Sequence, residues 1–157
     1  MVAASSRLRL LRWPLAIAAA VVVLDQLTKH WAVNALDDGH VIDLVGSLRL
    51  KLAFNTGMAF SRGEGIGPFV PILAITVVAL LLMAVGRSSS PWFTVGVGLI
   101  VGGTLGNVID RLFRGEGWFG GAVVDFVDVQ WWPVFNLADA AIVVGAGLLL
   151  LTSLRAP

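Results

Sequence analysis

Residues 135–154, FNLADAAIVVGAGLLLLTSL, form an uninterrupted apolar run from Ala140 onward. This segment has the roughly 20 residues that a helix needs to cross the hydrocarbon core of a membrane. Asn136 and Asp139 nevertheless stand at its start. A charged side chain at mid-bilayer costs about 2.5–3.5 kcal/mol on insertion scales. The segment is therefore predicted to be a membrane span whose acid has more than a structural role.

The composition of the whole chain agrees with a membrane protein. Of the 157 residues, 57% are hydrophobic and 13% are charged, against about 25% charged in soluble domains, and the mean hydropathy is +0.88. A net charge of +1 gives no footprint for nucleic acid. The absence of cysteine excludes disulfides, thiolate metal sites and a cysteine nucleophile. One integral membrane domain over residues 1–157 is expected.

Hydropathy predicts an all-α membrane protein, a bundle of four transmembrane helices at about 13–36, 68–86, 92–113 and 134–154. Larger loops at about 37–67 and 114–133 lie on one side of the membrane. The tails and the connection GRSSSP at 86–91 lie on the other side and carry five arginines and no acid. Cytoplasmic segments concentrate lysine and arginine, so both termini are predicted to be cytoplasmic.

The basic start of the first span is not interpreted as a cleaved signal peptide. Its apolar stretch is longer than the 7–15 residues of such a peptide and continues into DQLTKHWAV without a small-residue cleavage site. In the first large loop, apolar and polar residues alternate over 48–55, which predicts a strand with one apolar face. Arg49 and Lys51 are then expected on a solvated or headgroup-facing edge.

Polar residues within the spans form three groups. They are Asp25 with Lys29, then Asn107 with Asp110 and Arg111, and finally Asn136 with Asp139. In antiparallel spans all three groups lie at one depth, in the extracytoplasmic part of the membrane. Spacings of three or four residues put each group on one helix face, so a shared polar site is predicted.

Structural explanations exist for most of these residues. Asp25 and Lys29 are most simply an ion pair, Asp110 with Arg111 an interfacial anchor, and Asn136 a helix cap. Asp139 is hardest to explain in this way, since no cation lies near it in the sequence.

The residue types narrow the chemistry to carboxylates. The only histidines, His30 and His40, lack the spacing of a zinc hydrolase, and neither a metal nor a cofactor is expected. A Ser61–Lys29 pair is possible, but Lys29 already has Asp25 one turn away.

Two aspartates that share a site hold one proton between them and can activate water. Asp139 is one member, and its partner could be Asp110, Asp125 or Asp128. Apolar neighbours slightly favour Asp125.

Five segments in this order on four spans resemble bacterial lipoprotein signal peptidase, also called signal peptidase II. They are DQLTK at 25–29, FNTGMAF at 54–60, GGTLGNVIDR at 102–111, VVDF at 123–126 and FNLAD at 135–139. The resemblance implies an aspartic endopeptidase of the bacterial inner membrane, with its active site near the periplasmic face. It would remove signal peptides from diacylglyceryl-modified prolipoproteins, cutting before the lipidated cysteine.

The resemblance also assigns residues. It implies Asp125 and Asp139 as the catalytic dyad, with Asn55, Asn107, Arg111 and Asn136 as supporting or substrate-binding residues. Asp25, Lys29 and Asp110 are then structural polar residues. A small extracytoplasmic β region and a periplasmic lid from the second loop are expected, although RGEGWFGGA at 114–122 is longer than is usual in the family.

The expected partners are lipidated prolipoproteins, membrane lipids and a cyclic-peptide antibiotic inhibitor, and the protein is expected to be a monomer. Two other classes of function were considered. A small proton-coupled transporter would also use intramembrane acids, but the polar groups leave no path to the cytoplasmic face. A purely structural four-span protein would need its carboxylates only for stability.

Overall fold

A computed structural model describes residues 2–56, 69–86, 90–115 and 120–154, with side chains described from residues 10 and 72 onward in the first two ranges. It contains four helices and three strands. In chain order these are α1 (Val2–Leu36), β1 (Val41–Val45), β2 (Leu48–Asn55), α2 (Phe69–Ala84), α3 (Pro91–Phe113), β3 (Val123–Asp128) and α4 (Leu137–Leu154).

The four helices overlap the four predicted segments, but α1 begins before residue 13 and α2 is shorter than a typical span. Three are long and apolar enough to cross a membrane, namely Leu10–Leu36 within α1, then α3 and α4. By contrast, α2 has 16 residues, which at 1.5 Å each extend over about 24 Å, less than the roughly 30 Å of a typical hydrocarbon core. Residue 68, the predicted start of this span, lies outside the described residues.

Glycines on opposite faces of α3 allow it to pack closely between α1 and α4. Atoms of α1 from Pro14 to Val21 cover Gly98 and Gly102 in turn. On the other face, Gly145 of α4 covers Gly96 and Ala138 covers Gly103. The order of these contacts makes α3 parallel to α1 and antiparallel to α4. This is the arrangement from which the sequence predicted a common depth for the polar groups.

The bundle is apolar on its outer surface and holds a group of buried charged residues in its interior. Many large apolar side chains are exposed, among them Leu27 at 61% and Val143 at 71%, whereas Asp25 and Lys29 are fully buried. Soluble domains rarely expose large apolar patches and almost never bury charged side chains unless these are paired. With the long apolar helices, this distribution identifies a membrane protein.

The three strands form one antiparallel sheet in the order β1-β2-β3. The prediction of a strand over 48–55 is confirmed by β2. Leu50 and Leu52 of its apolar face pack near the end of α1 around Leu36, but Phe54 is 58% exposed. Arg49 lies beside Asp128 of β3 and forms an ion pair with it at 2.7 Å, so it is not merely an edge residue.

β3 lies within the predicted second loop and is the strand that hydropathy did not indicate. Five of its six residues are buried, so it lacks the alternation that marks a half-exposed strand. Phe135 is bonded to Val127 by two backbone hydrogen bonds, of 2.8 and 3.0 Å. This bridge fixes the chain just before α4 against β3. Residues 57–67 of the first loop and 116–119 of the proposed lid lie outside the described residues.

Candidate active site

The three polar groups predicted from the sequence meet at one end of the bundle. Lys29 of α1 binds Asn107 of α3 at 2.8 Å, and Asn107 donates to Asp139 of α4 at 2.8 Å. In the parts of the chain that the structure describes, every buried side-chain nitrogen and oxygen has a hydrogen-bond partner. The groups therefore form one connected polar network inside an apolar bundle.

The start of α4 fixes Asp139 through a reciprocal cap. The Asn136 side-chain oxygen accepts the N–H of Asp139 at 2.9 Å, and Asp139 Oδ2 accepts the N–H of Asn136 at 3.2 Å. These are the two bonds of a capping box, in which the residue before the helix and the third helical residue satisfy each other's N–H groups. The interpretation of Asn136 as a cap is confirmed, and the same bonds orient the Asp139 carboxylate.

Asp125 reaches the same place from the sheet. Its Oδ1 accepts a hydrogen bond from the Asn136 side chain at 2.6 Å, and Asn55 of β2 also donates to it. Burial and the negative charge of Asp139 raise the pKa of Asp125 to about 6. The hydrogen bonds from the two amides lower it, but by less. Two carboxylates close enough to interact in this way resist simultaneous ionisation.

The other two acids considered as partners of Asp139 are engaged elsewhere. Asp110 is fully buried and binds Lys29 at 2.9 Å and Arg114 at 2.8 Å, so it is not an interfacial anchor. Asp128 forms an ion pair with Arg49, and the hydrogen bond that Arg49 donates to it lowers the pKa of Asp128. Of the three candidates, Asp125 is the one that shares Asn136 with Asp139.

A cleft of about 220 Å³ opens beside Asp139. Polar side chains from three elements line the cleft, namely Asn55, Thr104, Asn107, Arg111 and Asp139. Apolar side chains, among them Val108 and Ile142, complete its wall. Asp125 is 2% exposed and lies outside this lining. The cleft thus combines an apolar wall with a few convergent polar groups, as small binding sites commonly do.

Sequence analysis did not foresee several members of the network. Gln26 of α1 donates to the Gly106 carbonyl at 3.2 Å and to Asp110 at 3.1 Å. Asp110 has two cations as partners rather than one neighbouring arginine. The spacing of Asn136 and Asp139 did carry a signal, since Asn-x-x-Asp before an apolar run resembles a capping box. For Gln26 no local pattern exists, because its partners lie about eighty residues away.

Comparison with known proteins gives the family. Residues 17–155 match the family described as signal peptidase (SPase) II. The chain belongs to the signal peptidase II family. The lipoprotein signal peptidase of Rhodococcus jostii is 45% identical over 140 residues, which cover 88% of this chain and 70% of that protein. The lipoprotein signal peptidase of Mycobacterium avium is 44% identical over 149 residues, covering 94% and 80%.

Two solved structures of bacterial membrane enzymes, determined by the in meso method, have the same fold. One, at 2.3 Å resolution, has a TM-score of 0.77 and 28% identity over 90% of this chain and 87% of its own. The other, at 1.9 Å, has a TM-score of 0.79 and 26% identity over 92% and 94%. As a member of the signal peptidase II family, the chain is a membrane-embedded hydrolase, a peptidase of the aspartic type. These matches give no support to the transporter alternative.

Proposed function

We propose that this signal peptidase II removes the signal peptides of diacylglyceryl-modified prolipoproteins, cutting on the N-terminal side of the lipidated cysteine. Asp125 and Asp139 are the proposed catalytic dyad. The observation that carries the assignment is Asn136, which hydrogen-bonds both aspartates through its side chain or backbone at 2.6 to 3.2 Å. Asp125 of β3 and Asp139 of α4 are thereby held by one residue, and Asp139 lines the cleft.

The proposed reaction uses one proton and one water molecule. Asp125 holds the proton, in keeping with the elevation of its pKa to about 6. Asp139 receives a proton from the attacking water, while Asp125 donates to the carbonyl oxygen of the scissile bond. Collapse of the tetrahedral intermediate then breaks the C–N bond, and the amine of the lipidated cysteine leaves with a proton from the dyad.

Supporting roles are proposed for three cleft residues, Asn55, Asn107 and Arg111, and for the buried Asn136. Asn107 and Asn136 orient Asp139 by donating to its two oxygens, and Asn55 donates to Asp125. Arg111 lines the cleft, where a guanidinium can donate to backbone carbonyls of a bound peptide. The asparagine donors thus orient the two carboxylates that exchange protons with water and substrate, while Arg111 is proposed to hold the peptide.

The proposed membrane arrangement would let a lipidated substrate reach the dyad from within the bilayer. We propose one domain with four membrane-crossing helices, cytoplasmic termini and the dyad near the outer face of the bacterial inner membrane. The signal helix enters sideways between helices while the acyl chains stay in lipid. A lid over the bound peptide is proposed to come from the second loop, and the protein is proposed to act as a monomer that a cyclic peptide can inhibit.

Cleavage by purified protein tests this proposal. Wild-type protein in lipid nanodiscs is incubated with a diacylglyceryl-modified proprotein, and product is followed by gel shift and by mass spectrometry of the new N-terminus. Asp125→Asn and Asp139→Asn are expected to lower kcat by more than about a thousandfold, the scale on which catalytic groups act, while both variants remain folded. The matched control is the same proprotein without the lipid, which should be cleaved poorly.

Near-normal cleavage by either variant would contradict the dyad assignment. Equal cleavage of the lipidated and the unlipidated proprotein would contradict the proposed substrate class. Cleavage that stops when a cyclic-peptide inhibitor is added would support the same site.

A further inference from the structure

Two buried carboxylates bind the backbone immediately before each proposed dyad residue. Asp25 Oδ1 accepts the N–H of Ala138 at 3.0 Å, and Ala138 precedes Asp139. Asp110 Oδ2 accepts the N–H of Val124 at 3.1 Å, and Val124 precedes Asp125. A carboxylate from α1 thus fixes the start of α4, and a carboxylate from α3 fixes β3.

Lys29 joins these two carboxylates. Its Nζ lies 2.8 Å from Asp25 Oδ2 and 2.9 Å from Asp110 Oδ2. The third short contact is the 2.8 Å hydrogen bond to Asn107 Oδ1. An ammonium group has three donors and no acceptor, so this contact leaves the Asn107 amide nitrogen to donate to Asp139.

We propose that Asp25, Lys29 and Asp110 form a clamp that sets the separation and orientation of Asp125 and Asp139, with Lys29 as its central positioning residue. The inference rests on the proposed function, since it assumes that these two aspartates are the dyad. It assigns to the clamp a role in catalysis rather than in stability alone.

The burial of the clamp favours this role. The side chains of all three residues are fully buried. Ion pairs of this kind add little stability, because desolvation offsets their attraction, and apolar replacements are often at least as stable. These three buried charges are therefore expected to add little to the stability of the bundle. Their hydrogen bonds to the two dyad segments supply a reason for keeping them.

The backbone around the clamp leaves room for it. A Cβ on Gly106 of α3 would lie 2.5 Å from Asp25 Oδ2, so glycine lets this carboxylate approach α3. The proposed dyad residues lie on separate elements, β3 and α4, so other residues must fix their relative positions. A shift of about 1 Å in catalytic groups can lower the rate a hundredfold.

A charge-balanced double variant tests the clamp. In Asp25→Asn/Lys29→Met an amide oxygen can still accept from Ala138, Asp110 keeps Arg114 as its cation, and the Lys29 donors are lost. We expect kcat to fall by about a hundredfold with KM within about threefold, because the groups that touch substrate are unchanged. The alkaline limb of the pH–kcat/KM profile should move to higher pH, since the positive charge of Lys29 lowers the pKa of Asp125.

The matched control is Arg49→Gln/Asp128→Asn, which removes an ion pair between β2 and β3, the strand that carries Asp125. Neither residue bonds the backbone before Asp125 or Asp139. Its kcat and pH profile should equal those of the wild type. If the clamp double variant does not fold, Asp25→Asn alone provides the test. This variant keeps Lys29 and an acceptor for the Ala138 N–H, but it loses the charge that pairs with Lys29. A partial loss of kcat is expected from it, about tenfold.

A folded clamp variant with wild-type kcat and an unshifted pH limb would overturn the inference, as would a loss confined to thermal stability. The dyad is assayed in parallel. If Asp125→Asn and Asp139→Asn are inactive while the clamp variants are normal, the clamp fails and the proposed function stands. If the dyad variants are active, the proposed function fails first.

Discussion

Asn136 serves both as the cap of α4 and as the link between the proposed catalytic aspartates. Its side-chain nitrogen donates to Asp125 at 2.6 Å, and its oxygen accepts the Asp139 N–H at 2.9 Å. Because Asp139 completes the same capping box, the orientation of its carboxylate follows from where the helix begins. The acid that hydropathy alone left unexplained is therefore fixed by the helix start.

The pKa of Asp125 has a measurable effect on stability. For a carboxyl whose pKa is raised by folding, here from 3.8 to about 6, the folded state binds the proton more tightly. The contribution of such a group is fully present below its unfolded pKa and is lost as pH rises through the folded pKa. We expect the melting temperature of Asp125→Asn relative to wild type to rise between pH 4 and pH 7.5.

Asp128→Asn is the control for this measurement, and its expected sign is opposite. The hydrogen bond from Arg49 lowers the pKa of Asp128, so its stabilisation is present at neutral pH and lost in acid. This variant should melt below the wild type at pH 7.5, and the difference should shrink only below about pH 4. Parallel curves for Asp125→Asn and wild type would contradict the raised pKa.

At the scale of the elements, the long helices and β2 were predictable because their patterns are local. Apolar runs of about 20 residues marked the helices, and alternation marked β2. The strand β3 was not predictable, because Val124 and Asp125 are both buried and the strand therefore lacks alternation of apolar and polar residues. The pairing of Asp110 with Lys29 was not predictable either, because Lys29 lies on a helix about eighty residues earlier. The choice of Asp125 over Asp110 and Asp128 came from the family resemblance, and the geometry supplies its physical reason.

Close packing of α3 on α4 predicts contrasting effects of two glycine substitutions. A Cβ on Gly103 would overlap the Ala138 carbonyl oxygen and approach Ile142 to 2.8 Å, whereas nothing lies within 4 Å of one on Gly147. Gly103→Ala should lower the free energy of unfolding by about 1–3 kcal/mol through overpacking. Gly147→Ala should leave it unchanged or raise it by up to about 1 kcal/mol through helix propensity.

Unfolding in mixed detergent micelles, followed by circular dichroism, measures both glycine variants. Since Gly103 lies against the residue before Asp139, Gly103→Ala should also lower peptidase activity. Equal stability of the two variants would show that α3 and α4 do not pack as described.

At the scale of the whole molecule, the distribution of charge predicts an orientation. The chain contains no cysteine, so single cysteines can report the side of the membrane. Ser47→Cys, exposed between β1 and β2, should react with a membrane-impermeant maleimide in intact spheroplasts. Ser88→Cys, in the connection predicted to be cytoplasmic, should react only after permeabilisation. The reverse pattern would contradict cytoplasmic termini.

The hydrogen bond between Asp25 and the Ala138 N–H joins residues 113 positions apart, and this separation has a consequence for biosynthesis. A ribosome adds about 5–20 residues per second, so α1 waits several seconds in the bilayer before α4 is made. Until then Asp125 has neither Asn136 nor Asp139 beside it. If Asp125 and Asp139 are the dyad, as proposed, the nascent chain has no assembled catalytic pair until α4 docks against α1 and α3, and we expect no peptidase activity before then.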